Sequence, residues 1–506
     1  MAGSLLLGID IGTSGSKGVL CAPDGDILAT AVITHETSFP RPGWAEHDAE
    51  TIWWGEFVTL TKMLLAQGYS GEDIGAVGVS AIGPCVVPLD ASGQALRPGI
   101  LYGIDSRASA EIAWLEERCG IEAMATRNGM RLTSQAMGPK IRWLRVHEPE
   151  IHARTTMIHA ASSYMVYRLT GEHIIDRHTA SYFAPLFDWT TGDWCDEFAE
   201  HVIDISRLPR IIESTDVAGV ISPEAARATG LRAGTPVSGG TIDAAAEAVS
   251  GGVSQPGDML AMYGSTMFFL QVVEQPTPDP RMWIISNCLP GNHMIAGSLT
   301  CGGLLTNWMT EEIGPGISTG ESPYQEIARL AAATPPGADG LLCLPYFTGE
   351  RAPIYDPLAR GVFAGLSLRH TRGHLFRAGF EGLGFGTRHN LDVMREMGAV
   401  PKQVIAVGGG TRNPVWLQIV SDVTGVPQLV PERAVGASYG DAFMAGLASG
   451  IVPDRSALHD TWVRIARIYE PDPALFDMYS ERYAIFRRMY ERTKDDIHLL
   501  AASVIE

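Results

Sequence analysis

Positive charge is scarce in this chain: 38 Lys and Arg stand against 57 Asp and Glu, giving a formal net charge of −19 over 506 residues. That balance argues against polyanionic nucleic acid as a partner, since such binding is driven by clustered Lys and Arg. Cysteine is sparse and unpatterned. The seven, at 21, 85, 119, 195, 288, 301 and 343, are odd in number and never form a C-x-x-C pair, which leaves neither a disulfide framework nor a zinc site and fits a reducing cytoplasm. No apolar run approaches the ~18 residues needed to span a bilayer. The first apolar stretch stops at Asp10 and lacks a basic flank, so a soluble, cytoplasmic protein without membrane contact is expected. Lys17 is not in a Gly-Lys-Ser/Thr context, and no strand leads into the spaced glycines of a dinucleotide fingerprint. The histidines form no ligand cluster, and no low-complexity tract or short repeat is present.

What is present is a chain 45% hydrophobic and 19% charged, long enough for two or three domains with large cores. Residues 5–20, LLLGIDIGTSGSKGVL, read as a strand, a Gly-Thr-Ser-Gly turn and a second strand. Asp10 sits where a carboxylate can hold hydrated magnesium, and Gly12, Thr13 and Ser14 offer N–H groups and hydroxyls to a polyphosphate. Lys17 stands within reach of a phosphate or of solvent. A thinner echo at 258–268, DMLAMYGSTMF, breaks at Gly264, Ser265 and Thr266. Such turns also close ordinary hairpins. Together the two suggest related lobes clasping one nucleotide. The turn-rich segment around Ser250–Gly257 divides the chain into expected domains 1–248 and 249–506, each alternating strands with helices.

Asp243, in PVSGGTIDAAAEAV, lies between a glycine pair and an alanine-rich helix. A carboxylate there caps the helix or serves as the general base that takes a proton from a substrate hydroxyl during phosphoryl transfer. Gly408-Gly409-Gly410 after an apolar strand permits close approach of another molecule, with Asn413 beside it for a purine or ribose, and Gly302-Gly303 is a similar, weaker surface. Asp105 and Arg107 suit recognition of a polyol, a structural salt bridge being the alternative. The apolar stripe from Leu475 to Tyr490 reads as helical core packing.

These residues together resemble the FGGY family of carbohydrate kinases from about residue 5 to about 450. GWAEHDAETIWW (43–54) is similar to the family's Gly-x-x-Glu segment, MGPKIRWLRVHE (137–148) to its first signature with Lys140 and Trp143, and GVFAGLSLRHTRGHLFRAGFE (361–381) to its second, with Gly379 as a departure. The resemblance implies a two-domain actin-like ATPase fold (α/β, ribonuclease H-like), with mixed sheets flanked by helices and the active site in the interdomain cleft. It implies ATP and Mg2+ as cofactors, Asp243 as catalytic base and Asp10 as the magnesium-associated acid. Gly12, Thr13, Ser14, Lys17, Gly264, Ser265, Thr266, Gly303, Gly409, Gly410 and Asn413 fall to the nucleotide, and Asp105, Arg107, Gln135 and Asp243 to the sugar. The overall spacing is nearest to the xylulokinase members, so a pentulose is the expected substrate, another polyol, hexulose or sugar acid the alternative. A non-catalytic sugar sensor, or an actin-like ATPase without sugar transfer, is the alternative of another class. The oligomeric state stays open, a homodimer among the options. Ile82-Gly83-Pro84 and Gly103 replace residues by which xylulokinases contact their ketose, and the added glycines predict a roomier pocket.

Overall fold

The computed structural model describes residues 3–314, 322–433 and 435–503. Two compact units emerge, one made of 1–254, 278–294 and 435–464, the other of 255–277, 295–434 and 465–506.

The first unit is built on a mixed sheet in the order β5-β6-β4-β1-β2-β3, with β7 also pairing β4. The strands are β1 (Leu5–Ile11), β2 (Gly15–Cys21), β3 (Ile27–Thr34), β4 (Ile74–Ala81), β5 (Val217–Val220), β6 (Pro236–Ser238) and β7 (Thr241–Ile242). β1 runs antiparallel to β2 and parallel to β4. Because side chains alternate across a strand, Leu7, Ile9 and Ile11 pack with Phe57, Leu60 and Tyr164 on one face, while Leu6 joins Ala245, Ala246, Ala442 and Phe443 on the other. Burial on both faces explains the near-continuous apolar reading of β1 and β4.

The second face is covered by helices Asp243–Ser250 and Ala437–Ser449. Two glycines set how closely the latter lies: a Cβ on Gly8 would stand 1.9 Å from the Ser438 carbonyl oxygen, and one on Gly78 2.1 Å from that of Asp441. The helix therefore rests on the sheet backbone itself. This contact is why 435–464 groups with the first compact unit.

In the second unit, β8 (Asp258–Tyr263) pairs antiparallel with β9 (Met267–Val273) and parallel with β10 (Gln403–Val407). β10 is followed outward by β11 (Gln428–Pro431) and the antiparallel β12 (Ile465–Tyr469). The C-terminal stripe lies on helix Phe476–Ala502, which buries Tyr479, Tyr483 and Phe486. Among the described residues no helix is long and apolar enough to cross a membrane.

Candidate active site

In the first unit, strand register places Asp10 opposite Lys17 on β2 and Ser80 on β4. The Ser80 hydroxyl lies 3.3 Å from Asp10 Oδ1 and 2.7 Å from Asp441 Oδ2. Asp243 is the first residue of its helix. Its Oδ1 accepts from the Ala244 N–H at 2.7 Å, so it starts the helix without acting as N-cap. Burial raises the Asp243 carboxyl to about 7, the Ala244 N–H opposing and the Glu247 charge adding to the effect. Burial also lifts Asp10 well above the ordinary carboxylate range, helped by Asp243 and Glu247 and opposed by Lys17 and Ser80. Glu247 is raised by burial, with Lys17 and the Ala437 N–H holding it down. Asp441 is raised by burial and by Asp10.

Carboxylates thus crowd one end of the sheet with Lys17 as the nearby cation, an arrangement whose repulsion a divalent ion would relieve. Among the described residues no three His, Cys, Asp or Glu side chains converge as a metal cage. That donor set fits magnesium, which keeps most of its water and takes one or two carboxylates beside substrate phosphates.

The hairpin between β1 and β2 closes through Gly12 N–H to the Gly15 carbonyl at 3.1 Å. Among the described residues the N–H groups of Thr13 and Ser14 have no protein acceptor. Thr13 Oγ1 lies 3.3 Å from the Tyr102 hydroxyl, which links the hairpin to the segment carrying the expected sugar contacts.

There the structure narrows the sequence reading. Arg107 binds Asp105 through Nε and Nη2, the latter at 2.7 Å, and its Nη1 lies 2.8 Å from Glu46. Its guanidinium lies over Trp44 at 4.0 Å and Trp143 at 5.1 Å. Asp105 also accepts the Ala45 N–H. Both side chains are fully buried, so the salt-bridge alternative describes their geometry. Lys140 is likewise buried, donating to the carbonyls of Tyr102 and Ser134. At each of the two glycines a larger neighbour takes up the adjoining space. A Cβ on Gly103 would stand 2.6 Å from Gln135 Nε2, and one on Gly83 2.8 Å from Ile242 Cγ1. Gln135 therefore lies directly against Gly103.

The second unit brings its own predicted residues together. Gly264 N–H bonds the Thr266 carbonyl, while Gly303 N–H bonds the Gly264 carbonyl at 2.8 Å. Gly408, at φ +91°, and Gly410 press against Tyr263, whereas a Cβ on Gly409 would meet nothing within 4 Å. Gly409 is thus the open surface of the run. Asn413 spends its side-chain oxygen on the N–H groups of Val415 and Trp416, capping the following helix.

The N- and C-terminal domain models of the FGGY family of carbohydrate kinases match residues 5–250 and 259–449. The chain belongs to the FGGY family of carbohydrate kinases. This kinase is 31% identical to a xylulose kinase of Escherichia coli strain K12, covering 96% of this chain and 99% of the relative. It is also 31% identical to a glycerol kinase of Trichlorobacter lovleyi, covering 91% and 93%. The crystal structure of xylulose kinase from Rhodospirillum rubrum superposes with a TM-score of 0.92 at 32% identity, covering 98% of this chain and all of that one. The fold is accordingly the two-domain α/β architecture of FGGY sugar kinases, and the enzyme phosphorylates a sugar at the expense of ATP.

Sequence reasoning missed Ser80, Tyr102, Glu247 and Asp441. The last left a readable signal: it is the one charged residue in ASYGDAFMAGLAS. An acid in an otherwise apolar and small-residue helix is either paired or functional. Ser80 left none, because only strand register brings it to Asp10.

Proposed function

We propose that this kinase transfers the terminal phosphoryl group of MgATP to a primary hydroxyl of a pentulose, with Asp243 as general base. The observation that carries the proposal is the placement of Asp243 at a helix start, partly buried beside Asp10, with its proton affinity brought to about 7. A carboxylate so tuned is about half ionised at neutral pH, and in that form it is basic enough to accept the hydroxyl proton as the oxygen attacks phosphorus. The new O–P bond forms, the bond to ADP breaks, and the proton ends on Asp243. Magnesium, when bound with ATP, neutralises charge on the phosphates, and Asp10 is the residue that would hold it. Thr13 and Ser14 offer free N–H groups to the phosphates, as in other anion-binding hairpins. Ser265, Thr266 and Gly409 supply the surface for the rest of the nucleotide.

A pentulose is favoured by the full-length similarity to xylulose kinases. The clustered carboxylates Asp10, Asp243, Glu247 and Asp441 weigh against an anionic sugar acid. Gln135 offers an amide to a sugar hydroxyl. The seven cysteines, scattered along the chain and all buried, support a reducing compartment such as the cytoplasm. The test is sugar-dependent ADP release by purified enzyme across pentuloses, hexuloses, polyols and aldonates. An aldonate as best substrate would overturn the reading.

A further inference from the structure

The carbonyl of Thr13, on the turn that carries the free N–H groups, is held from two directions. On one side His35 Nε2 lies 3.2 Å from it, while His35 Nδ1 lies 3.0 Å from both oxygens of Glu56. Glu56 is anchored in turn by the Ser16 hydroxyl at 2.5 Å. On the other side the Thr37 hydroxyl donates to the same carbonyl at 2.8 Å. His47 Nε2 stands 3.1 Å behind Thr37 Oγ1, and the Trp53 indole N–H donates to His47 Nδ1 at 3.3 Å.

Donor and acceptor roles in this chain are forced. An indole N–H only donates, so His47 Nδ1 accepts and its proton sits on Nε2. That proton goes to Thr37 Oγ1, which leaves the Thr37 hydroxyl proton for the carbonyl. A carbonyl only accepts, so His35 Nε2 carries a proton as well. His47 and Trp53 are fully buried, and burial pushes His47 down to about 4, which keeps it in the neutral form the relay requires. The His35 backbone N–H adds a third tie, to the Ser14 carbonyl at 3.1 Å. Both carbonyls of the turn are thereby engaged from behind while both N–H groups stay open. Nothing in the packing of an ordinary hairpin calls for two buried histidine relays converging on one carbonyl oxygen.

We propose that His35 and His47 are positioning residues for phosphoryl transfer, clamping the Thr13 carbonyl so that the Thr13 and Ser14 N–H groups stand preset for a phosphate. The inference rests on the reading of this hairpin as a phosphate site. Preset donors lose no ordering energy when the anion arrives, and a loosened turn forfeits that advantage at the reacting phosphate. His35→Leu removes one relay and Thr37→Val the last donor of the other.

Each variant is expected to lower kcat by about 10-fold, the scale of one lost positioning hydrogen bond, with the sugar KM within about twofold of wild type. His35→Gln, whose amide can still donate to the carbonyl, is expected to recover most of the loss. Turnover per folded enzyme that is unchanged in both His35→Leu and Thr37→Val, even with a lowered melting temperature, would overturn the proposal. Thr13→Pro and Ser14→Pro, each of which removes one of the two N–H groups, report on the hairpin itself, with melting temperature read on the same samples. Wild-type kinetics in both would overturn the phosphate reading and the clamp with it, whereas impaired hairpin variants beside normal His35→Leu and Thr37→Val would overturn the clamp alone.

Discussion

Replacing Asp243 by Asn separates activity from stability in a way that few other substitutions can. Asn keeps the shape and the oxygen that accepts from Ala244, and removes only the charge and its proton affinity. Turnover is expected to fall by at least ~10²-fold, the usual contribution of a general base. Stability is expected to move the other way. In the unfolded chain the carboxyl titrates near 3.8, and in the folded protein near 7. Between those values the folded state binds more protons, so stability declines as pH rises from about 4 to 7 and the cost persists above it. A shift of about 3 units at 1.36 kcal/mol each sets a ceiling of about 4 kcal/mol. Partial solvent contact of the side chain reduces this to about 2 kcal/mol. The variant should resist urea better than wild type at pH 8, with roughly a third of that advantage left at pH 5. Urea titrations followed by intrinsic fluorescence at the two pH values, with kcat measured on the same samples, provide the assay. Near-normal kcat would remove Asp243 as base, and equal or lower stability of the variant at pH 8 would refute the burial argument.

Other outcomes follow from neighbouring groups. Asp10→Ala should lower turnover and raise the magnesium concentration needed for half-maximal rate, and an unchanged magnesium titration would reduce Asp10 to a strand-end residue. Glu247→Gln removes a charge that raises Asp243, so the acidic limb of kcat/KM against pH should move to lower pH; a limb that stays put or rises would show that the two carboxyls do not interact. Arg107→Met strands Asp105 in the interior and should cost about 3–5 kcal/mol of stability; normal melting with a raised sugar KM would instead return the pair to substrate recognition. With Gln135 and Ile242 filling the positions left by Gly103 and Gly83, D-xylulose should show a kcat/KM at least ~10-fold below the best sugar in the panel, the scale of one lost polar contact. A wide first place for D-xylulose would mean that Gln135 replaces the missing contacts.

The sequence was legible where chemistry is local. Asp10, its glycine-hydroxyl turn and the alanine-rich helix after Asp243 stand out because few residues suit such turns and helix starts, and the structure forms both elements where they were read. Strand β1 was readable because burial on two faces demands a continuous apolar run. What depends on distant partners was not readable. For Asp105 and Arg107 sugar contact and a structural salt bridge both stood open, since nothing in a linear pattern shows that Glu46, Trp44 and Trp143 enclose the guanidinium. Gly103 and Gly83 suggested space, and only the fold shows that Gln135 and Ile242 take it up. That 435–464 packs with the first unit was not readable for a related reason: the glycines that admit its helix, Gly8 and Gly78, lie more than half the chain away.

That helix has a consequence for how the protein is made. The groove over Gly8 and Gly78 is lined by backbone, and the segment that fills it leaves the ribosome only after most of the chain has been synthesised. Until then Leu6, Ala76 and Val249, which share a core with Ala442 and Phe443, face an open trough with unmet apolar surface. A fragment ending at residue 254 would therefore be a sheet with one face covered only by helix Asp243–Ser250, prone to self-association. Supplying residues 435–464 as a separate peptide should restore its solubility, and the nascent enzyme must either wait or be shielded until its own late helix arrives.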